Sequence, residues 1–472
     1  MARLTVGVIS PFQLRWLVLL AFPFAYFMSG AESAGYFAWG FLACAWLIYR
    51  IDSFHVDTIP VWMVLFVFIS FYYLRYPILI KNPEVFASIS PDIVKMLYLY
   101  GDRSALEVAL KLSSLLFFIF CVVAGILYGR KNRIQSETIS RPPCEKIKFG
   151  YWSIVVVLVL IAVLGYVAYI YRIGQMGVSP GEPLPFRLKG VIFYARHVII
   201  PLLILALICQ ATRSDNQYAL GLGWMLLAIH GVSDTLLRGS RSSILLCALL
   251  AVFLYTSGGV KIRRKELLVL FGVAGGAILL FPTITYFRIL QYQADLGYLE
   301  NIVYAFNYAN KDAGTVLKSS VYAVYSRIPG LETVWSVSSL MDNHLGSRLL
   351  EVIRSPFGLT GYLNFNIYQV PVEANTLFAP GFVGWFYLAG GWAGLAIGGV
   401  ALAIICVLLP RWIYGGRLLW APLVNTFFLW ILFISLTDGT LDSNFLLIAV
   451  GIVTLVALEL FGRAKNFGVR VL

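Results

Sequence analysis

Charged residues are scarce in this chain of 472 residues. Asp, Glu, Lys and Arg make up 12% of it, whereas soluble domains carry about 25%. Apolar residues make up 60%. This balance excludes a water-soluble enzyme, because so few charges cannot cover the surface of so apolar a chain. A bilayer core about 30 Å thick takes about 20 apolar residues per helix, so the sequence predicts an all-α polytopic membrane protein.

Several signatures of metal and nucleotide sites are also missing. The six cysteines form no Cys-x-x-Cys pair, and the sequence contains no Asp-x-Asp, no His-Glu-x-x-His and no Gly-x4-Gly-Lys-Ser/Thr. A cysteine zinc site, a metal-dependent sugar transferase, a metalloprotease and an ATPase are therefore disfavoured. We expect a function that uses neither a metal nor a cofactor.

Apolar runs predict about twelve membrane spans. They cover 14–30, 34–49, 59–80, 104–128, 150–171, 191–211, 218–235, 244–259, 267–285, 379–409, 421–437 and 444–462. The net charge of +13 lies entirely in the short segments on one side, which the positive-inside rule assigns to the cytoplasm. Both termini are then cytoplasmic, the first span is a retained anchor, and the basic charge needs no nucleic-acid partner.

The predicted outer side carries the larger segments, the longest being 286–378 within a single polytopic domain over 1–472. Tyr and Phe interspersed with charges over 298–335 are typical of helices at the membrane surface. These rings either form an interfacial belt or stack on sugars. In the span after this loop, Gly390, Gly394 and Gly398 lie four residues apart, which predicts close packing against another helix.

Ionisable residues inside the spans are candidates for function, because a charge at the bilayer centre costs about 2.5 kcal/mol or more. Glu107 and Lys111 lie four residues apart and predict a structural pair. Arg75, near the outer end of its span, is expected to reach the headgroups. Arg196, beside His197, lies deeper in its span and either faces a polar cavity or reaches the headgroups.

Arginines gather in the predicted outer segments, and Arg238 and Arg241 flank Gly239 in a short turn after the seventh span. Helix capping explains the nearby serines but not two arginines. Planar guanidinium groups bind phosphate oxygens in pairs, so we expect this face to bind an anionic headgroup. The acids and histidines predicted to lie near it are Asp234, Asp295, Glu300, Glu332, His344 and Glu373.

Three stretches carry a family resemblance: YRIGQMGVSPGEPLPFRLKG, LRGSRSSILL and VEANTLFAPGFVGWFYLAGGWAGLAIGG. With the layout of spans and loops, they make the chain resemble the Wzy-type O-antigen and oligosaccharide repeat-unit polymerases over about 170–400. The resemblance implies a GT-C-like helical fold in the bacterial inner membrane and a metal-independent periplasmic active site. It also implies a substrate, an oligosaccharide on undecaprenyl diphosphate, and as further partners a chain-length regulator and a flippase.

By this resemblance, a terminal hydroxyl of one lipid-linked repeat attacks the anomeric carbon of the chain on another and expels undecaprenyl diphosphate. Guanidinium groups are suited to stabilise the departing diphosphate. The implied diphosphate-binding residues are Arg172, Arg187, Arg196, Arg238, Arg241, Arg288 and Arg327. Glu332 and Glu373 are the candidate general bases, and Asp234, Asn375 and His344 are further candidates. The family often places a His near Glu373, and its absence here leaves the identity of the base open.

Other functions stay open at this point. A ligase that transfers finished glycan from the same carrier to another acceptor needs the same kind of site. A lipid-linked oligosaccharide transporter is favoured by Glu107, Lys111 and Arg196 inside spans. The sequence has no inverted halves, however, and the long outer loop fits outward-facing chemistry better. A structural scaffold leaves the arginine turn unexplained.

Overall fold

The computed structural model describes residues 11–29, 34–51, 56–81, 103–129, 151–174, 188–238, 242–260, 283–284, 287, 298–309, 330–338, 352, 362, 381–415, 418–437 and 445–466. Every element in this described part is helical and none is a strand, which confirms the predicted all-α class.

The helices are numbered here in chain order. They are α1 (Pro11–Ser29), α2 (Ala34–Arg50), α3 (Ile59–Phe68), α4 (Arg75–Lys81), α5 (Arg103–Gly129), α6 (Tyr151–Ile170), α7 (Leu188–Tyr194), α8 (Ile200–Arg213), α9 (Gln217–Arg238), α10 (Ser242–Thr256), α11 (Tyr298–Ala309), α12 (Leu331–Ser338), α13 (Gly381–Gly415), α14 (Ala421–Thr437) and α15 (Phe445–Asn466). A π turn, Ile69–Tyr73, separates α3 from α4, and a second one, Ala195–Ile199, joins α7 to α8.

Seven helical segments among the described residues are long and apolar enough to cross a membrane, and each overlaps a predicted span. They are Val56–Lys81, Ser104–Gly129, Tyr151–Ile170, Leu188–Arg213, Gln217–Arg238, Gly381–Gly415 and Phe445–Arg463. Three further predicted spans coincide with shorter apolar helices, and α2 coincides with another. The predicted span 267–285 lies outside the described residues apart from Thr283 and Ile284, so twelve crossings stay a prediction.

The chain forms two compact units, each assembled from separated stretches. Unit 1 comprises Met1–Arg141, Ile328–Gly416 and Ile431–Phe445, and unit 2 comprises Pro142–Arg327, Arg417–Trp430 and Leu446–Leu472. The predicted loop 286–378 contributes α11 to unit 2 and α12 to unit 1. Helices therefore occur within 298–335 as expected. Their position at a membrane surface and the single domain over 1–472 stay predictions.

In unit 1, α5 is the central helix and packs against α2, α12 and α13. Phe117 and Phe120 of α5 are fully buried. The α12 helix is tied to α5 by a hydrogen bond from the Ser338 hydroxyl to the Ala105 carbonyl, at 2.6 Å. A short segment of the predicted outer loop is thus part of the core of this unit.

Helix α13, which coincides with the span predicted over 379–409, is broken. Gly390 and Gly391 leave the helical conformation, and Gly391 has a φ of 58° and a ψ of −139°, a combination open to glycine. A Cβ on Gly398 would lie 2.6 Å from the Phe386 ring, so the part before the break folds back on the part after it. The glycine stripe therefore serves a hairpin within α13, whereas Gly399 faces the Leu116 carbonyl of α5.

In unit 2, α9 is the central helix and packs against α6, α8 and α10. The π turn Ala195–Ile199 lies at the start of α8. A π turn inserts an extra residue into a helix and rotates the side chains that follow, and such turns are frequent at functional sites. The π turns Ala195–Ile199 and Ile69–Tyr73 have a buried arginine within or just after them, Arg196 and Arg75 respectively.

Candidate functional site

A cluster of ionisable side chains is buried in unit 2, between the π turn and α9. His230, Asp234 and Arg238 are spaced four residues apart along α9, so they share one face of that helix. The π turn supplies Arg196 and His197 from the neighbouring element. Burying charges among apolar helices is costly unless they are paired, so the pairing in this cluster decides its chemistry.

The Asp234 carboxylate is the centre of the cluster. The Arg196 Nη2 forms an ion pair with Asp234 Oδ1. The Ser243 hydroxyl donates a hydrogen bond to Asp234 Oδ2 at 2.5 Å. The Arg238 Nη1 and the His197 Nδ1 each lie 3.6 Å from the same oxygen. Four side chains from three elements therefore converge on one carboxylate that is 1% exposed.

The start of α10 is positioned to bring Ser243 to this carboxylate. The Thr235 hydroxyl oxygen on α9 accepts a hydrogen bond from the backbone N–H of Ile244, at 3.1 Å. This bond caps one of the otherwise unpaired N–H groups in the first turn of α10. It also joins α9 to α10 one residue after Ser243.

Arg238 contacts several acceptors, most of them at long distance. Its Nε lies 3.4 Å from the Gly174 carbonyl oxygen, and its Nη1 lies 3.4 Å from the Ser243 hydroxyl. The guanidinium carbon lies 5.1 Å from the centre of the Phe193 ring, a cation–π contact. Arg238 is therefore attached to Asp234 less directly than Arg196 is.

The His197 ring links the two charged ends of the cluster. Its Nε2 is in contact with the Arg238 Nη1. Because a guanidinium donates hydrogen bonds and cannot accept them, Nε2 is the unprotonated acceptor nitrogen. The proton then lies on Nδ1, which faces Asp234. The neutral ring thus adds no charge to the cluster.

The cluster has more positive than negative charge. Among the described residues that meet at Asp234, there are two guanidinium groups and one carboxylate. The cluster also reaches the surface: the Arg238 side chain is 9% exposed, and Gly174, which accepts from it, is exposed. A partly accessible site with an excess of guanidinium groups is suited to bind an anion.

Arg172 lies beside this opening in a backbone conformation that favours glycine. Its φ is 50°, and it follows the last turn of α6, where the N–H of Ile173 bonds back to the Ala168 carbonyl at 2.9 Å. Glycine is the usual residue at such a helix end, and another residue there costs about 1 kcal/mol. The Arg172 side chain is exposed, two residues before Gly174.

The structure brings together part of the predicted site. Arg196, Arg238 and Asp234 are in one cluster, and Arg172 lies two residues from a carbonyl that the cluster uses. Arg196 is buried and faces the Asp234 carboxylate. Glu300 lies in α11 and Glu332 in α12. The other predicted residues lie outside the described part of the chain: Arg187, Arg241, Arg288, Asp295, Arg327, His344, Glu373 and Asn375.

Glu332, predicted as a candidate base, lies in unit 1 and pairs with Arg75, whose Nη1 is 2.9 Å from the Glu332 Oε1. The side chains are 0% and 4% exposed, so Arg75 turns inward to a carboxylate and does not reach the headgroups, which corrects the prediction. Burial raises the pKa of Glu332, although Arg75 and the backbone N–H groups of Gly330 and Glu332 act to lower it. A carboxylate committed to one arginine is a weak candidate for the general base.

The predicted pair of Glu107 and Lys111 is wrong. The Lys111 ammonium group lies over the Trp392 ring, 5.3 Å from its centre. The ion pairs between described residues do not include one between Glu107 and Lys111. The two residues occupy adjacent turns of α5, but Trp392, which follows the break in α13, attracts the ammonium group.

Sequence reasoning missed two ligands of the cluster, Ser243 and the Gly174 carbonyl. The spacing of His230, Asp234 and Arg238 was a usable signal, since positions i, i+4 and i+8 share a helix face. Ser243 and the Gly174 carbonyl had no such signal, because their contacts depend on how helices pack. In the described residues, no group of three His, Cys, Asp or Glu side chains is arranged to hold a metal ion.

Comparison of the chain with models of protein families, with curated proteins and with solved structures finds no match. Its function must be inferred from the site itself, in which two guanidinium groups share one buried carboxylate at the edge of an apolar helical unit.

Proposed function

We propose that this protein is a glycosyltransferase that polymerises undecaprenyl-diphosphate-linked oligosaccharide repeat units into a surface polysaccharide. The proposal includes a GT-C-like fold of twelve spans in a bacterial inner membrane, with cytoplasmic termini and a periplasmic active site. The observation that carries it is the cluster in which Arg196 and Arg238 share Asp234. Among the described residues this cluster holds two guanidinium groups for one carboxylate, and a diphosphate is an anion that more than one guanidinium group can bind.

The proposed reaction places its largest charge change where the arginines lie. The hydroxyl oxygen of the acceptor repeat attacks the anomeric carbon of the donor, and the bond between that carbon and the diphosphate oxygen breaks. The electron pair leaves with undecaprenyl diphosphate, and the hydroxyl proton passes to a base. Guanidinium groups held in place before the reaction stabilise the departing charge without a metal, and losing one such donor typically costs about 100- to 1,000-fold in rate.

The proposal assigns a role to each residue that the sequence predicted for the site. Arg238 and Arg196 hold the diphosphate, and Arg172 at the exposed edge guides it in. Glu373 is the better of the two candidate bases, since Glu332 is paired with Arg75. The further diphosphate ligands proposed from the sequence are Arg187, Arg241, Arg288 and Arg327, and the further polar candidates are Asn375 and His344.

Transport of the lipid-linked oligosaccharide is a second candidate function. The observation that favours it is the break in α13 at Gly390 and Gly391. Broken helices at membrane depth are found where irregular backbone lines a cavity, and they mark the binding sites of many transporters. Ligase-type transfer to another acceptor is an alternative reaction at the same arginine cluster.

The test uses the full-length protein in lipid nanodiscs with a lipid-linked repeat unit and EDTA. A ladder of products that is lost in Arg238→Ala supports the polymerase. The matched control is Arg463→Ala, which removes a half-exposed arginine paired with Glu459 at 2.8 Å. This control should keep the ladder, because exposed ion pairs contribute little to stability.

Other outcomes identify the alternatives. Transfer only to an added acceptor would identify a ligase. Movement of the intact lipid-linked repeat across a vesicle membrane, with no new glycosidic bond, would identify a transporter. An unchanged ladder in Arg238→Ala would contradict the proposed diphosphate site.

A further inference from the structure

The carboxylate of Asp234 occupies the guanidinium groups that the proposed site needs. Arg196 is paired with its Oδ1, and Arg238 approaches its Oδ2. A phosphate oxygen and a carboxylate oxygen make the same kind of contact with a guanidinium group. Any phosphate that binds here must therefore compete with Asp234 for its ligands.

The two arginines differ in how firmly Asp234 holds them. Arg196 forms a direct ion pair and is buried. Arg238 stands 3.6 Å from the carboxylate, and its contacts with Gly174 and Ser243 are both 3.4 Å long. The contacts of Arg238 with Asp234, Gly174 and Ser243 are long and therefore weak, so exchanging these three for a charged ligand costs little, whereas its contact with the His197 Nε2 is direct. Arg238 is also the arginine whose contacts extend to an exposed residue, Gly174.

We propose that Asp234 is a positioning residue that competes with the diphosphate for Arg196 and Arg238. When the donor binds, Arg238 leaves Asp234 and binds the diphosphate. After transfer, Arg238 returns to Asp234, which favours release of undecaprenyl diphosphate. The reason is energetic: two guanidinium groups in a dry site that stabilise a leaving diphosphate also bind the product tightly. A neighbouring carboxylate lowers that affinity. This inference rests on the proposed function, because it deepens the role of the same site.

The binding test uses inorganic pyrophosphate and the full-length protein in nanodiscs with EDTA, measured by titration calorimetry. Asp234→Asn keeps the shape of the side chain and removes its charge. If Asp234 competes, Asp234→Asn binds pyrophosphate at least about tenfold more tightly than the wild-type protein, because a negative charge next to both arginines is gone. Asp234→Glu, the control that keeps the charge, should show no such gain. If Asp234 only supports the fold, Asp234→Asn binds more weakly.

A second pair of variants covers the case in which Asp234→Asn does not fold. Removing one partner of a buried ion pair is destabilising, whereas removing both is tolerated far better. The double variant Arg196→Gln/Asp234→Asn is therefore compared with Arg196→Gln alone. Competition predicts about tenfold tighter pyrophosphate binding in the double variant, because Arg238 is released. Equal or weaker binding would overturn the inference.

Steady-state kinetics distinguishes competition from a purely structural role of Asp234, because the two roles predict different changes in KM. With the lipid-linked repeat as substrate, Asp234→Asn should lower KM and kcat together, since tighter binding of the diphosphate slows its release. A raised KM would count against competition. If pyrophosphate binds to neither the wild-type protein nor any variant, the proposed diphosphate site fails together with this inference. If binding depends on Arg238 but not on the charge at position 234, the inference alone fails.

Discussion

Each unit of the protein buries an arginine next to a π turn, but the two arginines are paired differently. In unit 1, Arg75 follows the turn Ile69–Tyr73 and pairs with Glu332, with both side chains almost completely buried. In unit 2, Arg196 lies within the turn Ala195–Ile199 and shares Asp234 with Arg238. Counted over the described residues, the first site has one guanidinium group for one carboxylate and is enclosed, whereas the second has two guanidinium groups for one carboxylate.

The difference separates a structural ion pair from a binding site. A balanced pair away from water has no capacity left for a ligand, so its main effect is on the stability of unit 1. An unbalanced cluster that reaches exposed residues keeps guanidinium donors available for an anion. A π turn with a buried arginine is therefore not enough to identify a functional site, and the ratio of acids to bases around it must also be known.

The largest expected effect is a loss of stability when one partner of the Arg75–Glu332 ion pair in unit 1 is removed. Arg75→Met leaves the Glu332 carboxylate without its charge partner and should lower the free energy of unfolding by about 3–5 kcal/mol. The double variant Arg75→Met/Glu332→Leu should recover most of this loss, because neither charge remains buried. Unfolding in mixed detergent micelles measures both. If Arg75→Met unfolds like the wild-type protein, the pair is not structural.

A change in unit 2 should affect activity more than stability. Arg238→Lys keeps the positive charge but loses the planar fork that binds two oxygens at once. We expect the rate of product formation to fall about 100-fold. The free energy of unfolding should change less than in Arg75→Met, because lysine keeps the positive charge beside Asp234 and the contacts of Arg238 with Gly174, Ser243 and Asp234 are long. A large loss of stability with unchanged activity would reverse the roles given to the two units.

Arg172 offers a smaller test, in which stability and activity should move in opposite directions. Arg172→Gly relieves the left-handed conformation and should raise the free energy of unfolding by about 1 kcal/mol. Activity should fall, because a guanidinium group beside the cluster is lost. The matched control is Asp215→Gly in the same unit, since Asp215 has a φ of 52° at the end of α8. That variant should gain stability and keep its activity; equal activities in the two variants would remove Arg172 from the site.

The smallest effect expected is a pH dependence that comes from unit 1. Burial raises the pKa of Glu332 above its ordinary value of 4.5, so the folded protein holds this proton more tightly than the unfolded chain. The resulting stability is fully present below pH 4.5 and is lost as the pH rises through the raised pKa. Unfolding measured across this window should show the slope in the wild-type protein. The double variant Arg75→Met/Glu332→Leu should lack this contribution, and an identical slope in both would exclude Glu332 as its source.

The parts of the site that the sequence could predict are those that lie on one helix. Asp234 and Arg238 share a face of α9 because of their spacing, and Arg196 was conspicuous as a charge inside an apolar segment. The ligands from other elements, Ser243 and the Gly174 carbonyl, could not be predicted. Their contacts depend on how the helices pack against each other, and the periodicity of residues within one helix does not determine that packing.

The sequence by itself determined that the chain is all-α and apolar enough to cross a membrane, because long apolar runs leave the backbone no other way to satisfy its hydrogen bonds in lipid. It also determined which charges lie inside these segments. Only the tertiary structure decided their partners: Arg75 turned to Glu332, Lys111 to Trp392, and Arg238 to the carboxylate already paired with Arg196. The physical reason is that hydropathy acts on each segment separately, whereas a buried charge is satisfied by whichever polar group the packing brings within a few ångströms.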